Sequence, residues 1–257
     1  MQRIAIAALS ALISMTTVAG TLESELQKNG LVAQAIPKSG ITGKTLDLGS
    51  YQVSAKSDEL LISHDEQSME RPLTELEVDG VKIRGTDRGE WGGELTVTSQ
   101  DGTTRTLVKE NVVSIQRVGG SIFVFTGLNH MVTDVGAMYE LTDVVGEPKL
   151  TRITLLPSAP VRILFEQGVA YILTYDSLIA VNPSPKRAAM EMITYDAPWS
   201  RFAPNSLVKQ GDTFVVGMHA GVTVVKASRF GIHDVRFYGP QGAEELLKPE
   251  TINHRLR

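Results

Sequence analysis

The chain of 257 residues contains no cysteine. No disulfide can staple it, thiol chemistry and Cys-built metal sites are excluded, and no lipid-modified cysteine can anchor it. Stability must come from an ordinary hydrophobic core, which this length supplies. A basic excess is missing too. Net charge is −4 and the pI about 5.8, so no global positive field favours nucleic acid or anionic lipid. The basic strings Lys186-Arg187 and His254-Arg255-Leu256-Arg257 are short and read as solvated surface. There is no glycine-rich phosphate loop, no paired-histidine helix motif and no G-x-S-x-G nucleophile elbow. Histidines number five, so a His-rich metal centre must draw on few positions. After the first twenty residues, no segment is apolar and long enough for a transmembrane helix.

What is present begins at the N-terminus. Met1-Gln2-Arg3 supplies a positive charge, Ile4 to Ile13 is an apolar run broken only by Ser10, and Thr16-Thr17-Val18-Ala19-Gly20 is rich in small residues. Those are the three parts of a secretory leader, with cleavage after Ala19 or Gly20. An uncleaved anchor or an ordinary helix are the alternatives, but the run is short for about 30 Å of hydrocarbon. Export without cysteine suits a bacterial periplasm. Residues 21–44 form an N-terminal segment, with a short helix expected over 22–36, weakened at Gly30 and ended by Pro37.

From residue 45 to 240 the pattern changes to short alternating runs rich in Val, Ile, Thr, Phe and Tyr, separated by Gly, Asp and Asn. That predicts many short antiparallel strands, an all-β domain. Three stretches, Val112–Gly127, Val161–Thr174 and Ser206–Gly217, superpose as strand, glycine turn, strand. Leu76–Gly85 is a fainter copy. The turn glycines expected are Gly80, Gly120, Gly168 and Gly211, a period of about 40 to 50 residues with room for four strands, as in a β-propeller blade. About five such units fit. A β-sandwich or barrel with chance-similar hairpins is the other all-β possibility. Residues 241–257 are a tail, with a short helix expected at Glu244 to Lys248.

The string Asp87-Arg88-Gly89-Glu90-Trp91-Gly92-Gly93-Glu94-Leu95, followed by Thr126-Gly127-Leu128-Asn129-His130, resembles a pairing in uncharacterised bacterial exported proteins with propeller-like repeats. The resemblance covers roughly residues 75 to 225. It implies a fold and a compartment but no chemistry.

The repeats place Asp87, His130, Asp176 and His219 in the loop after each unit's second strand. Carboxylates and imidazoles from several loops, if they converge, are what a metal or small-ligand site needs. Turn chemistry alone also explains Asp and His there. Arg88, Glu90 and Trp91 suit a recognition surface, since Trp and Arg are favoured at binding hot spots. Alternatively Trp91 packs between sheets while Gly92-Gly93 permits close backbone approach or a bulge. On a strand, Glu90 and Glu94 would lie about 13 Å apart, too far for a glycosidase pair. His64-Asp65-Glu66 and Asp58-Glu59 read as a solvated acidic loop, and the aromatic pair of Tyr195-Asp196-Ala197-Pro198-Trp199 reads as core.

The function expected is therefore an exported binding or scaffolding module, without a cofactor, whose ligand is a protein, peptide or glycan. Asp87, Arg88, Glu90, Trp91, His130, Asp176 and His219 would supply its contacts, with no nucleic-acid partner and no membrane span after leader cleavage. The competing class is a metal-assisted hydrolase of lactonase or phosphoesterase type, with a divalent cation on Asp87, His130, Asp176 and His219. A third possibility is a cap on a larger assembly, marked by an exposed apolar patch.

Overall fold

The structure, a computed structural model of the chain, describes residues 22–37, 40–41, 45–57, 59–65, 74–183, 188–227 and 234–247. The leader expected over residues 1–20 lies outside the described residues, as do Asp58, Glu66, Lys186-Arg187 and the closing residues 254–257. Among the described residues no helix is long and apolar enough to cross a membrane.

The chain is all-β, built from small antiparallel sheets. The N-terminal strand β1 (Leu31–Gln34) is followed by the hairpin β2 (Ser50–Lys56) and β3 (Glu59–Asp65). Three four-stranded meanders come next. They are β4 (Thr74–Val78) with β5 (Val81–Gly85), β6 (Leu95–Thr98) and β7 (Thr104–Val108), then β8 (Val112–Val118) with β9 (Ser121–His130), β10 (Thr133–Thr142) and β11 (Lys149–Leu156). The third is β12 (Pro160–Glu166) with β13 (Val169–Thr174), β14 (Leu178–Asn182) and β15 (Ala189–Thr194). The last sheet contains β16 (Pro204–Gln210), β17 (Thr213–Met218), β18 (Gly221–Lys226) and β19 (Asp234–Pro240), with β1 added outside β19.

All four repeat hairpins form. Val78 pairs with Val81, Val118 with Ser121, Glu166 with Val169, and Gln210 with Thr213, each across a two-residue turn. Such turns need positive φ, which glycine adopts without strain. Gly80, Gly168 and Gly211 have it, but in the second unit it is Gly119, φ +60°, rather than the expected Gly120. About five units were expected, and the described residues hold four larger sheets and the two-stranded β2–β3 hairpin.

The described residues divide into two compact units, one spanning 74–200 and the other combining 22–65 with 201–247. In the first, the strands alternate as their sequences dictate: β5, Val-Lys-Ile-Arg-Gly, buries Val81, Ile83 and Gly85 and exposes Lys82 and Arg84. Val81, Ile83, Leu95 and Val97 pack with Val112, Val124 and Tyr139 between the first and second meanders. Phe123, Phe125 and Met138 pack with Ile172, Ile179 and Val181 between the second and third. Burying each large aliphatic side chain contributes about 1.5–3 kcal/mol. Close approach needs glycine at two points. A Cβ on Gly85 would meet Val112 Cγ1 at 2.4 Å, and one on Gly127 would meet Pro160 Cδ at 2.5 Å.

In the other unit, Tyr51, Val53, Leu60 and Ile62 of the hairpin pack on Val208, Val215, Val222 and Val224. A polar clamp joins the same elements. Asn205 Nδ2 donates to Ser50 Oγ at 2.7 Å and the Tyr51 carbonyl at 3.0 Å, while Ser206 Oγ accepts from Val53 N at 2.8 Å.

Several local expectations are corrected. The helix expected over 22–36 is confined to 22–28, because Gly30, φ +64°, turns the chain into β1. Glu59, His64 and Asp65, read as parts of a solvated acidic loop, belong to strand β3, in which Leu60 and Ile62 supply a buried face. Described residues 241–247 form turns rather than the start of a helix. Trp199 is core, but Tyr195 of the same string is exposed.

Candidate functional site

Residues 87–94 of the Asp87–Leu95 string fold as a loop with a 3-10 turn at Gly89–Trp91, not as a strand, and Leu95 opens β6. That removes the strand geometry expected of Glu90 and Glu94. Asp87 Oδ1 accepts from Gly89 N at 2.9 Å, and Arg88 Nε donates to the Gly92 carbonyl at 3.2 Å. Asn111, buried just before β8, grips the turn from below. Its Nδ2 donates to the Gly89 carbonyl at 2.7 Å and its Oδ1 accepts from Arg88 N at 3.2 Å. Gly93 lets the backbone return. A Cβ there would meet the Thr86 carbonyl oxygen at 2.1 Å. Close approach thus matches the expectation at Gly93, whereas a Cβ on Gly92 would meet no atom within 4 Å, and the packing expected of Trp91 does not hold. Its side chain is 81% exposed.

Beside this turn stands an extended ribbon. β8 pairs with β9 only as far as Thr126, and β11 pairs with β10 only from Gly136. Residues 128–135 therefore continue as a two-stranded ribbon, with Leu128 opposite Val135 and His130 opposite Thr133. Its tip is Met131-Val132, with Met131 at φ +52° and 92% exposed, and Val132 fully exposed. His130 Nε2 stands 2.9 Å from Glu90 Oε2, so an ion pair links ribbon to turn when the imidazole is protonated. On the other face, Asp134 Oδ1 accepts from Ala159 N at 2.7 Å.

The four loop positions are not equivalent in the fold. Gly127 N donates to Asn111 O at 3.0 Å, Tyr175 N to Ala159 O at 3.2 Å, and His219 N to Phe202 O at 2.7 Å. Each bond joins the second strand, where its pairing with the first strand ends, to the segment that leads into the first strand. By that frame His130 lies three residues farther out, on the ribbon. Asp176 belongs to a turn in which Thr174 Oγ1 donates to its Oδ1 at 3.1 Å and Ala197 N to its carbonyl at 3.1 Å. His219 Nε2 lies 2.8 Å from the Thr45 carbonyl, which can only accept, so that nitrogen carries hydrogen. Among the described residues no three His, Asp or Glu side chains form a group able to hold a metal ion. Glu90 and His130 are a pair of expected site residues that meets directly.

Sequence reasoning missed a second polar cluster. Glu110, entering β8, accepts from Thr126 Oγ1 at 2.6 Å and from the Tyr139 hydroxyl at 3.1 Å. Burial first, then the Glu110 charge, pushes the Tyr139 phenol above its ordinary value. Nothing in the spacing of Glu110, Thr126 and Tyr139 announces the contact, which depends on the register of three strands. Asn111 could have been suspected only as a polar residue before a strand.

No family model matches the chain, and no curated protein does. Among solved structures it is similar to a mutant of the GH43 protein BlXynB from Bacillus licheniformis, with 9% identity over 63% of this chain and a TM-score of 0.35. It is also similar to the N-terminal domain of Nup159, with 13% identity over 85% of this chain and a TM-score of 0.38. The chain spans 40% and 53% of the lengths of those two chains.

Proposed function

We propose that the protein is an exported binding module with a propeller-like fold, and that its partner surface is the Asp87–Trp91 turn together with the ribbon tip beyond His130. The observation that carries this is the exposure of Trp91 on the turn and of Met131 and Val132 on the ribbon, two elements that Glu90 and His130 join. A large aromatic and two aliphatic side chains held in water on fixed elements mark an interaction surface. The elements are fixed because Asn111 grips the turn and Glu90 reaches His130. Consecutive four-stranded meanders support the propeller-like reading, as do the second-strand glycines Gly85 and Gly127 packed on the following sheet. The leader motif of residues 1–20 supports export.

The test is site-specific photo-crosslinking in exporting cells. A benzophenone amino acid at position 91 or 132 is expected to give discrete adducts, and one at exposed Lys82 none. No adduct at either site, to protein or to lipid, would overturn the binding surface. A reporter active only outside the cytoplasm, fused after residue 20, tests export separately.

A further inference from the structure

We infer that the occupant of this surface is a phospholipid bilayer of zwitterionic headgroups, into whose interface the tip of the β9–β10 ribbon inserts. The inference rests on the reading of the turn and ribbon as the binding surface and names what that surface binds.

Shape is the first ground. Residues 128–135 project beyond the paired part of the sheet, and from Gly127 to the Met131 tip is a reach of about 13 Å at 3.3 Å per residue. A convex, two-residue point suits a receptor that deforms around it, and the depth of a bilayer's headgroup–acyl boundary is about 5–10 Å.

The residues at the point are the second ground. The four repeat hairpins turn on Asp79-Gly80, Gly119-Gly120, Gln167-Gly168 and Gly211-Asp212, each with the glycine that turn chemistry favours. This ribbon turns on Met131-Val132. Met131 holds φ +52° with a side chain that disfavours it, and the side chain so held is spread into solvent. An apolar pair at such a place is unfavourable for the isolated fold and favourable in hydrocarbon. Val135, exposed, and Leu128, half-buried, form a second apolar pair farther back, beyond His130 and Thr133. Trp91 adds the amphipathic indole that settles at headgroup level.

Charge is the third ground, and it selects the lipid. Glu90 and His130 answer each other at 2.9 Å, and the Asp134 carboxylate is turned onto Ala159 N. Asp87 is turned onto Gly89 N. The ribbon carries no lysine or arginine, and Arg88 on the turn is offset by Asp87 and Glu90, so no net positive charge repays approach to an anionic surface. Arg88, on the same turn as Trp91, offers guanidinium donors to a lipid phosphate, which zwitterionic headgroups also carry.

The test is sedimentation of the full chain with phosphatidylcholine vesicles, with and without phosphatidylglycerol, followed also by tryptophan emission. The variant is Met131→Gly with Val132→Ser. Glycine suits φ +52°, so this variant keeps its thermal transition while losing the apolar tip. Residues 1–20 are common to both proteins, so the difference reports the tip. Binding to phosphatidylcholine is expected to fall about tenfold or more with the loss of the two buried side chains, and to be little raised by phosphatidylglycerol. The Met190→Ser/Met192→Ser variant, altered at exposed methionines elsewhere, is expected to bind as the parent. Equal binding by the tip variant would overturn the inference, as would binding that requires phosphatidylglycerol. If vesicles do not bind but crosslinks at 91 and 132 reach a protein, the lipid falls and the binding surface stands. If neither occurs, both fall.

Discussion

Tyr139 and Glu110 meet across the second meander, with the phenol oxygen 3.1 Å from each carboxylate oxygen of Glu110. The phenol hydrogen is shared between them, and Thr126 Oγ1 donates to Oε2 as well. The carboxylate entering β8 is thereby tied to β9 and β10. Three strands are fixed in register by one side chain, which is how a sheet that extends into a free ribbon keeps a firm root.

Stability in alkali depends on the same contact. Tyr139 has its phenol raised by burial and then by Glu110. A raised pKa means that the unfolded chain ionises first. The stabilisation is therefore complete below about pH 10, the unfolded value, and is lost as pH rises through the folded value. Tyr139→Phe is expected to lower stability at neutral pH by about 1–2 kcal/mol and to flatten the alkaline decline. Part of the decline remains, because burial raises Tyr51 in the other unit too. Denaturant midpoints of both proteins from pH 7 to 11 check this.

Asn111 and Glu90 hold the same turn by different physics. Asn111→Ala leaves the Gly89 carbonyl and the Arg88 amide without their side-chain partner, and is expected to cost about 1–3 kcal/mol. Glu90→Gln breaks an exposed ion pair, worth about 0–1 kcal/mol. Urea melts are expected to rank the two in that order. The reverse order would mean that the Glu90–His130 pair, not the buried amide, organises the turn.

How much of this was legible in the sequence depended on whether the physics was local. A two-residue hairpin needs positive φ, and that need is written directly as glycine, so the four repeat turns could be found. The choice between Gly119 and Gly120 could not, because both satisfy the composition and register decides. Strand β3 was hidden because Glu59, His64 and Asp65 mask the buried alternation of Leu60 and Ile62. The ribbon was hidden because Asn129, His130 and Asp134 look like turn residues, whereas their backbones pair as strand. The Asp87–Leu95 string stood out, but Asn111 lies outside it and Trp91 gives no sign of which way it faces. Non-local partners left no mark that a single sequence shows.

Gly119 and Gly120 separate the two explanations of a turn glycine. A Cβ added at either would meet no atom within 4 Å, but only Gly119 has positive φ, at +60°. Gly119→Ala is expected to cost about 1 kcal/mol or somewhat more through backbone strain, and Gly120→Ala close to nothing. Thermal midpoints of the pair measure the difference. Equal costs would place the strain elsewhere in the hairpin.

His219 distinguishes turn chemistry from metal binding. Its Nε2 donates to the Thr45 carbonyl at 2.8 Å, so His219→Ala is expected to lose about 1–2 kcal/mol whether or not EDTA is present. EDTA and added Zn²⁺ are expected to leave the midpoint of the parent protein in place. A Zn²⁺-dependent rise abolished by His219→Ala would restore the metal site.

The two tryptophans of the chain give the surface its own reporter. Trp199 is fully buried, and its Nε1 donates to the Thr174 carbonyl at 3.2 Å. Trp91 stands in water, so the parent emission is a sum of a blue and a red component. Trp91→Phe is expected to leave blue emission that acrylamide barely quenches, and to change stability by less than about 0.5 kcal/mol, as surface substitutions do. Trp199→Phe is expected to leave red, readily quenched emission and to cost about 2 kcal/mol or more, since it opens a cavity and strands the Thr174 carbonyl. The assignment matters beyond folding. A blue shift on adding a partner belongs to Trp91 only if it survives in Trp199→Phe and vanishes in Trp91→Phe. A shift that instead follows Trp199 would mean that the partner alters the core, and the exposed turn would lose its standing as the contact.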